Sequence, residues 1–335
     1  MTEFWTAVLA FTILLYVLLD GFDLGVGMLL ALMPNDRGRR HMLAAIAPVW
    51  DGNETWLVVT ATILFGVFPL VYSILLSAFY LPVFVMLAGL ILRGVSFEFR
   101  EKSPHHRAFW DSCFILGSLV ASFIQGMMIG ALVEGLPVEN GRYAGGPFGW
   151  LSSFALLCGA GLCVGYALLG AGWLTRKTTQ DVQALAFGIL PSLLAGVLAF
   201  LAIIFVYSLL LDLAVMHRWR ERPVLFVFPL MGIAACVIMA VSIRRRRELL
   251  PFLSGASIFA AAFLTLAVSF YPYMIPFSVT IAEAAAPRSS QAFMFWGAGL
   301  IVLPITIIYT LVVYFVFKGK VIDLESYDEG PPVSD

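Results

Sequence analysis

Charge is what this sequence has least of. Only 12% of its 335 residues are Asp, Glu, Lys or Arg, against 61% that are hydrophobic, whereas soluble globular chains carry about twice that charged fraction. With a mean hydropathy of +0.95, the chain cannot clothe a water-facing surface. That excludes a cytoplasmic enzyme, a disordered scaffold and a nucleic-acid binder with a basic face. The net charge of -1 adds no partner preference. Histidine is scarce too: His41, His105, His106 and His217 are the four present, each in a connection between apolar stretches, so no bis-histidine haem or helix-borne metal site can be assembled inside a bundle. The four cysteines, Cys113, Cys158, Cys163 and Cys236, lie in apolar runs without the paired spacing of a zinc site or a disulfide framework, and read as small apolar residues. The 12 methionines read as packing residues. A P-loop, a nucleotide fingerprint and a Ser/His/Asp set are missing. Alone, the chain is expected to be colourless and redox-inactive.

What is present is long apolar runs. A helix needs roughly 20 such residues to cross a bilayer core, and nine stretches qualify, at approximately 4–32, 53–73, 76–98, 111–133, 148–174, 186–211, 224–243, 250–271 and 291–317. The first has no Lys or Arg ahead of it and no small-residue cleavage site behind it, so it reads as a retained span and not a signal peptide. Lys and Arg on alternate connections number fourteen on one side (among them Arg37, Arg39, Arg40, Arg100, Arg176 and Arg244 to Arg247) and five on the other (Arg142, Arg218, Arg220, Arg222 and Arg288). By the positive-inside rule the N-terminus is outside and the C-terminus cytoplasmic. YVLLDGFDL at 16–24 and YALLGAGWL at 166–174 align at an offset of 150 residues, as two related four-helix bundles would. The expected fold is an all-α polytopic membrane protein of nine transmembrane helices: a first four-helix bundle over 1–135, a second over 146–275, a peripheral ninth helix over 288–320, and an acidic cytoplasmic tail over 321–335. Gly21/Gly25, Gly126/Gly130 and Gly161/Gly165 are spaced to let helices approach closely.

Against this background, charges inside spans stand out. Counted along the helices at 1.5 Å per residue, Asp20, Asp23, Asp51, Glu54, Arg93 and Glu98 all fall about 22 to 33 Å from the outer boundary, one layer in the cytoplasmic third. Asp20 and Asp23, like Asp51 and Glu54, are three apart and share a helix face. Five acids facing one arginine cannot all stay ionised in a low-dielectric setting, so either some are protonated or cations arrive from another chain. Either case makes the layer a candidate for proton exchange. The plainer reading is that residues near a span end reach for water or pair structurally, and it weighs most for Asp20 and Glu98. The setting of Asp51, IAPVWDGNETWLV, puts Pro, Gly and two Trp around the acids and suggests a helix start or break in which Asn53 and freed backbone groups hold a proton or a water. Arg93 reads as a counter-ion, and Arg100, seven residues on, as a marker of the cytoplasmic boundary.

LLDGFDLGVGML at 18–29, IAPVWDGNETWLV at 46–58 and LRGVSFEFR at 92–100 resemble subunit II of cytochrome bd-type quinol oxidases, and SFYPYMIPFS at 269–278 and PITIIYTLVVYFVFKGKVI at 304–322 resemble that family's last two spans. Between about 112 and 268 the likeness is mainly hydropathy and length. The resemblance implies a heterodimer in the bacterial cytoplasmic (inner) membrane with a larger subunit I, which carries low-spin and high-spin haem b and haem d. That subunit oxidises quinol at the outer face and reduces oxygen to water with cytoplasmic protons. It implies that Asp51 contributes to a proton path across the subunit interface and that Asp23 is linked to activity. Asp20, Glu54, Glu98, Arg93 and Arg100 carry over as supporting residues. No cofactor is expected in this chain, although some relatives hold a structural quinone in subunit II, and a small single-span accessory subunit is compatible with the family. Val49 stands where some members have histidine, and a proline after the arginine is missing from RGVSFEF, so a role for that histidine does not apply here. The compact length resembles the branch called cyanide-insensitive.

The competing class is a proton-coupled transporter, whose acids belong near the midplane at interrupted helices. A purely structural partner for subunit I would leave the acid layer without a purpose. The layer's need for cations or proton acceptors predicts that the cytoplasmic halves of spans one to three form most of the interface with subunit I.

Overall fold

The computed structural model describes residues 1–211, 219 and 223–321. His217, Arg218, Arg220 and Arg222 lie outside the described residues, as does the tail from 322 onward. The helices are α1 (Thr2–Leu29), α2 (Asp36–Ala44), α3 (Trp50–Val67), α4 (Pro69–Lys102), α5 (Arg107–Glu134), α6 (Ser153–Lys177), α7 (Gln180–Leu210), α8 (Val227–Arg244), α9 (Leu250–Phe270), the single turn α10 (Ile281–Ala284) and α11 (Arg288–Val316). Two short antiparallel ribbons sit in the connections, β1 (Val138–Glu139) with β2 (Arg142–Tyr143), and β3 (Tyr273–Ile275) with β4 (Val279–Thr280).

Among the described residues, eight helices are long and apolar enough to cross a membrane. The expected second span is not one of them: α3 has 18 residues, with Asp51 in its first turn and Glu54 just beyond, so it rises about 27 Å with three polar or charged residues in its first five. The expected boundary between spans two and three, near residues 73–76, is corrected to Phe68. Proline suits the first position of a helix, where no N–H is needed, so Pro69 starts α4 there, and Phe68 breaks the helical path with φ -127° and ψ 55°. Tyr72 therefore belongs to α4, and α4 runs 34 residues with a kink at Phe79 ahead of Pro82, whose ring denies the helix one hydrogen bond.

The centre of the molecule is α1, which packs against α3, α5, α6 and α9. Every residue from Asp20 to Gly27 is buried. Lipid is as apolar as leucine, so helices associate here through close packing and hydrogen bonds more than by escape from water. At the α1–α6 crossing a Cβ on Gly25 would sit 1.9 Å from the Tyr166 carbonyl oxygen, and one on Gly170 would sit 2.5 Å from the Val26 nitrogen. The two backbones touch because neither position has a side chain. Nearby, Phe22 stacks on Trp173 at 4.3 Å, and the Trp173 indole N–H donates to the Ala45 carbonyl at 3.0 Å, which ties α1, α6 and the end of α2 together.

The last helix lies on the outside. None of its residues from Phe295 to Val316 is buried, and it is π-helical over Phe295–Val302. It is pinned at both ends: the Trp5 indole donates to the Gln291 carbonyl at 3.2 Å, and the Lys177 ammonium donates to the carbonyls of Phe317 and Gly319.

Candidate functional site

The WDGN segment begins α3, with Val49 as the residue before its first turn. This orientation sends Asn53 inward and Asp51 outward. Asn53 is buried and its amide donates to Asp23 Oδ2 at 2.7 Å and to the Leu19 carbonyl at 3.3 Å. Its carbonyl oxygen accepts from the Tyr314 hydroxyl at 3.0 Å, so a side chain on α11 closes the site from the far side. Asp23, completely buried, keeps one oxygen, Oδ1, without a partner.

One turn earlier on α1, Asp20 Oδ1 accepts from Arg93 Nη2 at 2.9 Å, and Glu54 Oε2 meets the same nitrogen at 3.3 Å. Asp20 and Arg93 are essentially inaccessible, whereas the Glu54 side chain is 29% exposed. Asp20 Oδ2 and the Nε and Nη1 of Arg93 are buried without hydrogen-bond partners among the described residues. Buried polar atoms are almost always satisfied, so this constellation has room for more protons or donors than side chains supply. Arg93 also lies 5.8 Å from the Trp50 ring, in cation–π range.

The expected six-membered layer is thus divided. Asp20, Asp23, Glu54 and Arg93 come together, with Asn53 and Tyr314. Asp51 is exposed on the other side of α3, because two residues along a helix is about 200° of rotation away from Asn53. Glu98 does not belong to the layer: it is exposed and pairs with Lys102 one turn on, at 3.6 Å. Arg100 is more than a boundary marker. It is buried at the centre of a second cluster, with Nε 2.5 Å from Asp111 and Nη2 2.6 Å from Asp36, while Arg39 reaches Asp111 at 3.0 Å and Arg107 reaches Asp36 at 3.1 Å. Partial burial pushes the Asp36 carboxyl up, but the hydrogen bond and charge of Arg100, aided by Arg107 and Arg40, outweigh it and hold the group below its ordinary range.

Arg93 is the counter-ion expected for the layer, and Asp20 and Asp23 are sealed by this chain's own helices, so of the two expected alternatives, cations from another chain do not reach these two acids. The stretch of α1 from Asp20 to Gly27 is buried throughout, so those residues offer no exposed side chain to a partner. Sequence reading missed Asp36, Asp111, Tyr314 and a further relay in which Gln125 donates to the Tyr16 hydroxyl at 2.7 Å and accepts from Tyr166 at 3.0 Å. Tyr16 and Tyr166 are the aligned residues of the 150-residue repeat, the one signal that pointed to them.

The described histidines stand away from the bundle's interior: His105 and His106 are exposed in the α4–α5 turn, and His41 lies in α2 beside the spans. Together these features define a polytopic helical membrane subunit built around a buried acid–arginine layer. The family model described as cytochrome bd terminal oxidase subunit II matches residues 1–317, and the chain belongs to that family. It is 28% identical to the probable cytochrome oxidase subunit 2 of Haemophilus influenzae, over 97% of this chain and 93% of that one. It is also 28% identical to cytochrome bd-I ubiquinol oxidase subunit 2 of Escherichia coli K12, over 95% and 94%. The bd oxidase from Geobacillus thermodenitrificans has the same fold, with a TM-score of 0.74 at 18% identity, covering 94% of this chain and 98% of that one. The protein is accordingly a multi-pass bacterial inner-membrane subunit of a quinol oxidase, an oxidoreductase.

Proposed function

We propose that the chain pairs with a haem-bearing subunit I and serves proton uptake from the cytoplasm along α3. In this reading nine helices cross the membrane, α3 included, with the N-terminus outside, and the helices form two four-helix groups with α11 added at the edge. The haems of subunit I supply electron transfer from quinol and the reduction of oxygen to water, and this chain's residues act on protons. One observation carries the reading: Asp51 is exposed at the start of α3, and Glu54, one turn on, is part exposed and already in contact with Arg93. Residues three apart on a helix are neighbours, so a proton taken by Asp51 has an acceptor within one turn. Arg93 stays charged and holds Asp20 and Glu54 as acceptors without passing a proton itself. On the inner side of α3, Asn53, held by Asp23 of α1 and Tyr314 of α11, keeps its first turn in place. The interface with subunit I then involves the outward faces of α3 and α4, where Val58, Phe65, Phe84 and Ile91 are 63–71% exposed.

The test is quinol-driven oxygen uptake per haem in the purified complex. Asp51→Asn and Glu54→Gln keep shape and hydrogen bonding but cannot exchange protons. Each is expected to lower turnover while the heterodimer and its haem spectrum persist, and the double variant to fall less than the product of the two, as groups on one route do. Unchanged turnover in all three removes the proton path from this chain. A colourless single chain driving substrate-coupled proton flux in vesicles would replace the oxidase reading with transport.

A further inference from the structure

Where α8 ends, four consecutive arginines, Arg244 to Arg247, are exposed. The turn that follows is a Schellman closure: the N–H of Arg247 returns to the Ser242 carbonyl at 3.0 Å, and that of Arg246 to Ile243 at 3.1 Å. Such closures place a left-handed residue, usually glycine, at the position Arg246 holds, and Arg246 has φ 47°. A side chain there is strained, so an arginine in that place signals that its guanidinium is wanted. The turn splays the arginines around a cavity of about 790 Å³. Arg245, Arg246 and Arg247 are among its lining residues, and Val237, Ile238 and Val241, one to two turns back along α8, line it as well. Arg246 is steadied 5.6 Å from the Phe187 ring.

The cavity's one acid, Glu248, is already engaged. Hydrogen bonds from Lys320 at 2.7 Å and Gln183 at 3.1 Å hold its carboxyl below the ordinary range. Val237, Ile238 and Val241 are 43–58% exposed on a helix long and apolar enough to span the membrane. From Val237 to Arg245 the chain rises about 12 Å, enough to pass from the acyl region to the headgroup level. A soluble anion would have no use for that apolar wall, whereas a lipid has an acyl chain to lay along it.

From this we infer that the α8–α9 turn is a binding site for an anionic phospholipid, its phosphodiester held by Arg245, Arg246 and Arg247 and one acyl chain against Val237, Ile238 and Val241. The inference is independent of the proton path. The experiment titrates the delipidated, purified complex with phosphatidylglycerol or phosphatidylcholine and reads bound lipid by native mass spectrometry, with inorganic phosphate as competitor. Phosphatidylglycerol is expected to be retained over phosphatidylcholine, and R245Q/R246Q/R247Q to bind it roughly tenfold or more weakly, since each basic residue at an anionic surface contributes about fivefold. R246G keeps the fold safe because glycine relieves the left-handed position, and it is expected to weaken phosphatidylglycerol binding several-fold while thermal stability holds or rises. Equal retention of the two lipids, or wild-type phosphatidylglycerol binding in R246G, overturns the site. Displacement of the lipid by inorganic phosphate at comparable concentration overturns the lipid assignment in favour of a simple anion site.

Discussion

Replacing Arg93 by methionine tests whether one ion pair organises the buried layer. Arg93 and Asp20 are 1% and 0% exposed, and among the described residues their 2.9 Å contact is the sole side-chain hydrogen bond of Asp20. Methionine keeps the length and removes the charge, which leaves Asp20 without a donor in a place water does not reach. Breaking a buried pair from one side costs about 3–5 kcal/mol, whereas replacing both partners by apolar groups of similar volume is often near neutral. Glu54, the third member, is 29% exposed and can turn to solvent, so it adds little to the loss. Arg93→Met is therefore expected to destabilise the complex by about 3 kcal/mol or more if Asp20 stays ionised, and by about 1–3 kcal/mol if it takes up a proton. Arg93→Met with Asp20→Leu is expected to recover most of that loss, about 1 kcal/mol or more, a coupling beyond the roughly 0.5 kcal/mol scatter of independent sites. Denaturant unfolding of the purified complex in mixed micelles, in a full double-mutant cycle, measures the coupling. Additive single-site losses would refute the claim that the pair acts as one unit.

Gly25→Ala is expected to cost about 1–3 kcal/mol or abolish assembly, because its methyl would lie 1.9 Å from the Tyr166 carbonyl oxygen in a close-packed crossing; thermal unfolding against Gly188→Ala, where a Cβ meets nothing within 4 Å, provides the comparison. Single replacement of His41, His105, His106 or His217 by alanine is expected to leave the haem absorption spectrum of the assembled complex intact, and loss of one haem band would show a ligand in this chain. The Asp36 carboxyl is held below its ordinary range by Arg100, so its stabilisation is present above the unfolded value, about pH 3.9, and is lost as pH falls further through the folded value. Its side chain is 40% exposed, which makes the effect modest. Asp36→Asn is expected to lower stability at neutral pH and to flatten the acid limb of a stability-against-pH curve.

The membrane class, the approximate place of the spans and the family were legible in the sequence, because apolar run length and the DGFD and WDGN blocks are local properties. The start of a helix at WDGN was legible for the same reason. The partners of each charge were not. A depth count places Asp51, Glu98 and Asp20 at one level but says nothing about rotation around each axis, and that rotation put Asp51 and Glu98 outside and Asn53 inside. The boundary expected near residues 73–76 failed because a single proline at position 69, not the end of an apolar run, ended the second span. Arg100 looked like a boundary residue because its partners, Asp36 and Asp111, stand 64 and 11 residues away in sequence. Tyr314 could be joined to Asn53 only through a contact 261 residues apart. The sequence by itself determined how much charge enters the membrane and on which helices, since composition alone governs transfer into lipid. Only the tertiary structure decided which acids are sealed with an arginine and which face outward, since that depends on helix rotation and on where Gly25 and Gly170 let α1 and α6 meet.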